Sequence, residues 1–282
     1  MNCAWDSFIK VLPVWMREEV NAIGQTSLQE LRLRLGLKPE LITKTNSIFL
    51  NRHTTQQDIQ FCINAASGYS PWAAMTISNG YITAPGGHRI GICGESTIID
   101  GIMKGIRTPT MLCLRVARDF PGIAKSIPNS NRSVLIIGSP GSGKTTLLRD
   151  LIRSFSDSNR GSIAVVDERG ELFPNLNGTS CFQTGIRTDI ITGCSKKHGI
   201  ELLLRCMCPT VIAVDEITSD DDCVSLEQAA WCGVKLFATA HAASIKDLRS
   251  RAVYRPLIES QIFDTFITLH HDKTWDIEGL CI

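Results

Sequence analysis

After residue 132 the chain alternates apolar runs with segments of helical spacing. "SVLIIG", "SIAVVD", "TVIAVD" and "KLFATA" are short continuous apolar runs bounded by polar residues, the pattern of parallel strands buried on both faces. Between them, "KTTLLRDLIRSF", "KHGIELLLRCM" and "SLEQAAWCG" repeat apolar positions at the three- and four-residue intervals of amphipathic helices. Such alternation predicts a doubly wound, mostly parallel α/β sheet with ligands at the strand C-terminal ends.

Before this region the pattern is mixed. "MNCAWDSFIKVLPVWMREEV" reads as an amphipathic helix interrupted at Pro13. "TSLQELRLRLG" supports two readings: a short helix capped at Thr26 or Ser27 and ended by Gly36, or a strand on which Leu31, Leu33 and Leu35 alternate. "TTQQDIQFCINAAS" has a threonine cap and helical spacing at Ile59, Cys62, Ile63 and Ala66. "NGYITAPGGHRIGICGE" predicts a hairpin about Pro85, Gly86 and Gly87, and "TMLCLRVAR" a strand. The Pro-, Asn- and Ser-rich "SIPNSNRS" (126–133) marks a boundary. The expected organisation is a smaller α+β domain over 1–129 and an α/β domain over 130–282.

Composition narrows the classes. The 282 residues are 43% hydrophobic and 20% charged, enough for a substantial core. Lys and Arg number 29 against 28 Asp and Glu, so no global basic field exists to hold nucleic acid. Eleven cysteines include no C-x-x-C pair, which argues against a zinc ribbon or a thioredoxin-like site. Cys93, Cys113 and Cys232 lie in apolar runs and read as small hydrophobes, consistent with reduced thiols in a cytosolic protein. The N-terminus lacks the basic-then-apolar order of a signal peptide. No stretch approaches the ~18 apolar residues of a membrane span, so any membrane attachment is expected through a partner.

"GSPGSGKT", Gly138 to Thr145, fits G-x-x-x-x-G-K-[ST] at every fixed position and lies between a strand and a helix. Gly138, Gly141 and Gly143 let the backbone curl so that its N–H groups converge on a phosphate, with Ser139, Pro140, Ser142 and Thr146 completing the cradle and the helix adding its positive end. Lys144 is expected on the β- and γ-phosphates of ATP, and the Thr145 hydroxyl on Mg2+. "VIAVDE" has the form of a Walker B strand, with Asp215 holding Mg2+ and Glu216 polarising the attacking water. A second acidic strand end, "AVVDERGEL", offers Asp167 or Glu168 for positioning water or metal; the competing reading is a surface salt-bridge cluster with Arg169 and Glu171. The strand following the first helix is expected beside the phosphate-loop strand. His241, two residues beyond the buried Thr239 at the end of "KLFATA", is placed to hydrogen-bond a γ-phosphate and report hydrolysis.

Phosphate loop, Asp167–Glu168, Val211–Glu216 and Gly233–His241, in that order, resemble the Walker A loop, Asp box, Walker B strand and His box of the secretion-ATPase superfamily, the ring motors of type II and type IV secretion and pilus retraction. "GYITAPGGHRIGICGE", "LRVARDFPGIA", "GSPGSGKTTLLRDLIR", "VVDERGEL", "GIRTDIITGCSKKHGIELLLRCMCPTVIAVDEI" and "AAWCGVKLFATAHAAS" resemble the stage III sporulation protein AA family more narrowly. The resemblance implies a RecA-like P-loop ATPase core that hydrolyses ATP with Mg2+. It implies catalytic roles for Lys144, Glu216, Glu168 and His241, with Glu216 first for water activation and Glu168 second. It also implies a homo-oligomeric ring, expected as a hexamer, on the mother-cell side of the forespore membrane, energising channel subunits of the sporulation stage III A complex. The four-cysteine zinc module of type II motors is absent from the sequence, and Thr218 and Ala242 stand where glycine is usual. Related motors complete the site with arginines of the N-terminal domain; Arg89, Arg107, Arg115 and Arg118 are the candidates, then Arg187 and Arg205. The alternatives are a nucleic-acid-stimulated ATPase of the same core and a non-catalytic assembly scaffold.

Overall fold

The computed structural model describes residues 1–68, 80–127, 132–176 and 178–279. The boundary expected at 129/130 lies outside these residues. The chain forms two compact units, Met1–Asp119 with Pro174–Phe182, and Phe120–Phe173 with Gln183–Ile282.

In the first unit, Pro13 separates α1 (Trp5–Val11) from α2 (Val14–Ile23), because proline lacks the N–H that a continuous helix would use. "TSLQELRLRLG" resolves as a strand, β1 (Leu28–Arg34), paired with β2 (Glu40–Thr43). A bulge between Leu28 and Glu30 allows Leu28, Leu31 and Leu33 all to be buried despite the three-residue step. β3 (Ser47–Phe49) follows, then α3 (Gln56–Ser67), whose Thr55 cap and Asp58 make a reciprocal capping box. β4 (Tyr81–Ala84) and β5 (His88–Ile99) form the expected hairpin, and β6 (Ile102–Arg115) runs back along β5. The sheet order is β3-β2-β1-β6-β5-β4, antiparallel throughout. Its buried residues form one core with Phe8, Val11, Met16, Val20, Ile59 and Cys62 of the helices. Burial pushes the Cys62 thiol up to about 12, which keeps it protonated and unreactive. Cys93 is exposed rather than packed, because it follows the buried Ile92 on a strand whose faces alternate; Cys232, at a helix end, is exposed as well.

The second unit is a seven-stranded sheet in the order β11-β8-β12-β13-β7-β14-β15. Its strands are β7 (Val134–Gly138), β8 (Ile163–Asp167), β11 (Thr188–Thr192), β12 (Val211–Ile217), β13 (Lys235–His241), β14 (Thr265–Leu269) and β15 (Trp275–Gly279). The short β9 (Asn175–Leu176) and β10 (Thr179–Ser180) belong to the first unit. All pairings in the large sheet are parallel except β14 with β15. Alternation along the strands divides the core into two layers. Leu135, Ile137, Val166, Ile212, Val214, Leu236 and Ala238 pack with α5 (Lys196–Cys206), α6 (Asp220–Trp231), α7 (Ile245–Ser250) and α8 (Arg255–Glu259). Phe237, on the opposite face, meets Phe155 of α4 (Lys144–Asp157) edge-on at 5.6 Å.

The order corrects one expectation. β8 does not lie beside β7; β12 and β13 separate them. The apolar runs are equally buried in either position, so composition alone does not fix the order. The ends of β8, β12, β13 and β7 nevertheless make four consecutive positions of the sheet.

His88 carries a titration built into the first unit. It is 1% exposed; its Nδ1 accepts from the Ala117 amide at 3.1 Å and its Nε2 donates to the Ala4 carbonyl at 3.0 Å. Those two bonds require the neutral ring. Burial first, then the Arg118 charge, lowers its pKa, against the raising effect of the Ala4 bond. The unfolded chain therefore takes up the proton more readily than the folded one. Stability should be level above about pH 7 and decline as pH falls through and below about 6.5. Denaturant unfolding from pH 8 to 5 should show this decline, and His88→Gln should flatten it.

Candidate functional site

The site begins at the end of β7, where Gly138 must be a glycine for packing reasons. A Cβ there would lie 2.6 Å from the Leu269 carbonyl oxygen and 2.7 Å from Ser142 Oγ. Gly141 and Gly143 have φ of +74° and +111°, a region L side chains rarely adopt, and the loop curls through them into α4. No side chain caps the start of α4, unlike α3, α5, α6 and α7, so its first N–H groups keep their capacity for an anion.

Lys144 is 6% exposed. Its ammonium donates to the Gly138 and Ser139 carbonyls, each at 2.9 Å, and to His241 Nδ1 at 3.1 Å. All three of its protons are engaged. Burial lowers its pKa, and the carboxylates of Asp215 and Glu216 act in the opposite direction. Because His241 Nδ1 accepts from the ammonium, Nε2 carries the ring proton and donates it to Glu216 Oε1 at 2.8 Å. Lys144, His241 and Glu216 thus form one continuous chain of hydrogen bonds.

Asp215 and Glu216 are adjacent on β12, so regular alternation would turn them to opposite faces. An irregularity prevents this. β12 advances from Val214 to Ile217 while β13 advances only from Ala238 to Ala240. Glu216 takes up the extra residue with φ of +55°, at a strain on the order of 1–2 kcal/mol for an L side chain. Thr239, fully buried on β13, fixes the result. Its hydroxyl donates to Asp215 Oδ1 at 2.5 Å and accepts from the Glu216 amide at 2.8 Å. Asp215 Oδ2 accepts from Thr145 Oγ1 at 2.8 Å. Thr145 and Asp215 together present hard oxygen donors beside the phosphate loop, a set that fits Mg2+, which retains water and phosphate oxygens instead of an all-protein cage.

The acidic end of β8 behaves differently. Asp167 is 2% exposed, and its oxygens accept from the Glu171 and Phe173 amides at 2.9 and 2.8 Å. Burial raises its pKa, the three loop amides of Phe173, Leu172 and Glu171 lower it, and nearby Asp215 raises it. Arg149 of α4 donates to the Leu172 and Glu171 carbonyls, which ties the same loop to the phosphate-loop helix. Glu168 is paired at 2.8 Å with Lys196, itself 3.5 Å from Asp222. The structure therefore joins Lys144, Thr145, Asp215, Glu216 and His241, and gives Asp167 and Glu168 partners of their own. The loop reaches the site through Arg169, 3.0 Å from Glu216 Oε2.

The arginine candidates of the first unit are engaged within it. Arg89 lies 4.1 Å from the Tyr81 ring centroid, Arg107 pairs with Glu95, and Arg115 pairs with Glu30. Arg118 lies beyond the end of β6, not on it, and its guanidinium donates to the Gln25, Leu28 and Val116 carbonyls. In the second unit, Arg187 donates to Ser156 O and Arg205 to Glu201 O. Sequence reasoning missed Lys273, whose ammonium donates to the Gly141 and Ser142 carbonyls; a lone lysine some 130 residues away carries no motif.

Thr239→Val keeps the shape but leaves an acceptor of Asp215 and the Glu216 amide unpaired. It should destabilise the chain by about 1–3 kcal/mol in denaturant unfolding.

Comparison with known proteins agrees with this architecture. The solved ATPase DotB of Legionella pneumophila superposes with a TM-score of 0.60 at 15% identity, over 94% of this chain and 79% of that one. The pilus retraction motor PilT, solved with bound ADP, gives 0.61 at 15% identity over 91% and 78%. At such identity the likeness shows a shared fold: an α/β core with a mostly parallel sheet, preceded by a smaller α+β domain. Stage III sporulation protein AA of Bacillus subtilis (strain 168) is 34% identical over 277 residues, 94% of this chain and 90% of that protein. SEEDLING PLASTID DEVELOPMENT 1 of Arabidopsis thaliana is 26% identical over 249 residues, 86% of this chain but 34% of that protein. The family model described as "Sporulation stage III, protein AA" matches residues 8–280; the chain belongs to that family.

Proposed function

We propose that the chain is a Mg2+-dependent ATPase motor that works as a homo-oligomeric ring, a hexamer. In this reading it energises membrane channel subunits of the sporulation stage III A complex from the mother-cell side of the forespore membrane. The observation that carries the reading is the Lys144–His241–Glu216 chain beside the Thr145–Asp215 pair. The family and the likeness to DotB and PilT support it. No helix among the described residues is long and apolar enough to cross a membrane; in this reading attachment runs through the channel subunits.

The loop amides from Gly141 to Thr146 and the start of α4 bind the phosphates, with Ser139 and Pro140 shaping the loop. Thr145 and Asp215 would hold Mg2+, which would supply positive charge against the phosphates. Lys144 has no spare proton in the resting arrangement, so engaging a phosphate means releasing a carbonyl or His241. Release of His241 Nδ1 changes the ring's hold on Glu216, and that links occupancy to the catalytic carboxylate. Glu216 takes the proton of the attacking water. It precedes Glu168 in this role because it shares a hydrogen-bond chain with the phosphate-loop lysine, whereas Glu168 is paired with Lys196 outside that chain. His241 Nε2–H orients the Glu216 carboxylate.

The test is ATP turnover by the purified full chain, alone and with candidate channel subunits, together with its size in solution with a non-hydrolysable ATP analogue. Lys144→Ala should abolish nucleotide binding. Glu216→Gln should bind ATP with kcat reduced about 100-fold or more; normal turnover in that variant would transfer the base role to Glu168. His241→Ala should slow turnover with a smaller effect on binding, read from kcat and Kd separately.

A further inference from the structure

Lys273 sits in the turn joining β14 to β15, with Lys273 N donating to His270 O at 3.1 Å and His270 N to Thr274 O at 2.9 Å. Its φ is +73°, in the region where such hairpin turns normally place glycine or asparagine. Six non-glycine described residues have positive φ; of these, Lys273 bonds the phosphate loop directly and Glu216 is linked to its lysine through His241. Strain of this kind persists where the surroundings over-determine it, and here the surroundings are the phosphate loop. β14 is hydrogen-bonded beside β7, with Leu269 opposite Gly138, so the turn projects along the loop. From there Lys273 Nζ donates to the Gly141 carbonyl at 2.7 Å and the Ser142 carbonyl at 2.9 Å.

Those carbonyls belong to the peptide groups whose N–H members are Ser142 and Gly143. A trans peptide points its N–H away from its carbonyl. A cation drawing both carbonyls outward turns both N–H dipoles the opposite way: the Ser142 N–H closes the turn on the Ser139 carbonyl at 3.2 Å, and the Gly143 N–H is polarised toward the concavity that Gly141 and Gly143 create. We propose that Lys273 is a positioning residue for nucleotide binding: it holds the phosphate loop in its anion-binding form through the Gly141 and Ser142 carbonyls, without touching the phosphates. The inference rests on the ATPase reading and adds to it a residue outside the family motifs.

The proposal gives Lys273 two opposite effects, on the turn and on the loop, and Lys273→Gly separates them. Glycine relieves the left-handed turn and removes the cation. The Tm of the nucleotide-free Lys273→Gly chain should match or exceed that of the unsubstituted chain. Its Kd for ADP and for ATP should each rise by a similar factor, about tenfold for loss of charge-assisted hydrogen bonds. KM should follow Kd with kcat little changed, and Lys273→Arg should restore most of the affinity. Unchanged Kd in Lys273→Gly overturns the proposal. So does a lowered Tm with affinity loss that arginine fails to restore, which would mark Lys273 as a fold contact. A loss confined to ATP would mean a direct γ-phosphate contact and would also overturn it. Failure of the unsubstituted chain to bind either nucleotide would remove the ATPase reading itself, a result visible before any variant is made.

Discussion

One extra residue in β12 governs the geometry of the whole site. Without the step between Val214 and Ile217, Asp215 and Glu216 would face opposite sides of the sheet, and one of the two carboxylates would be lost to the phosphate loop. The left-handed Glu216 is the local strain that permits convergence, and Thr239 is the bracket that holds it, bonded to one carboxylate and one amide on the neighbouring strand. The remaining contacts depend on that bracket: Thr145 with Asp215, His241 with Glu216, and through His241 the phosphate-loop lysine.

The two acidic strand ends divide their labour. β12 supplies carboxylates to the site, while the end of β8 builds a rigid loop, with Asp167 folded back onto amides of residues 171 and 173. Its burial would be unfavourable for a free carboxylate; the amides make it tolerable. Glu168 pairs with Lys196, and Arg169 extends to Glu216. The similar-looking strand ends "VVDERGE" and "AVDEI" thus diverge because one strand continues into a tight turn and the other into a bulge.

Much of this was readable from residues. Four continuous apolar runs became buried parallel strands, Pro13 separated two helices, Thr55 capped a third, and the G-x-x-x-x-G-K-T spacing fell at the strand–helix junction. What was not readable was long-range. Strand order depends on which neighbour each buried run selects, and identical apolar patterns leave that choice open, hence the misplacement of β8. "TSLQELRLRLG" stayed ambiguous because its leucines fit both periods until a bulge and a partner strand decided. Lys273 and the Arg169–Glu216 pair are side-chain meetings across some 130 and 47 residues, and local pattern holds no trace of them.

The chain passes between its two units at 119/120, 173/174 and 182/183. The loop that carries Arg169, clamped by Asp167 and Arg149, therefore runs without interruption into β9 and β10, a strip packed against the Gly87 turn of the first unit. The backbone thus crosses between the units three times. Only residues 170 to 173 separate Arg169, the ion-pair partner of Glu216, from the crossing at 173/174, so that pair stands a few residues of backbone from the other unit.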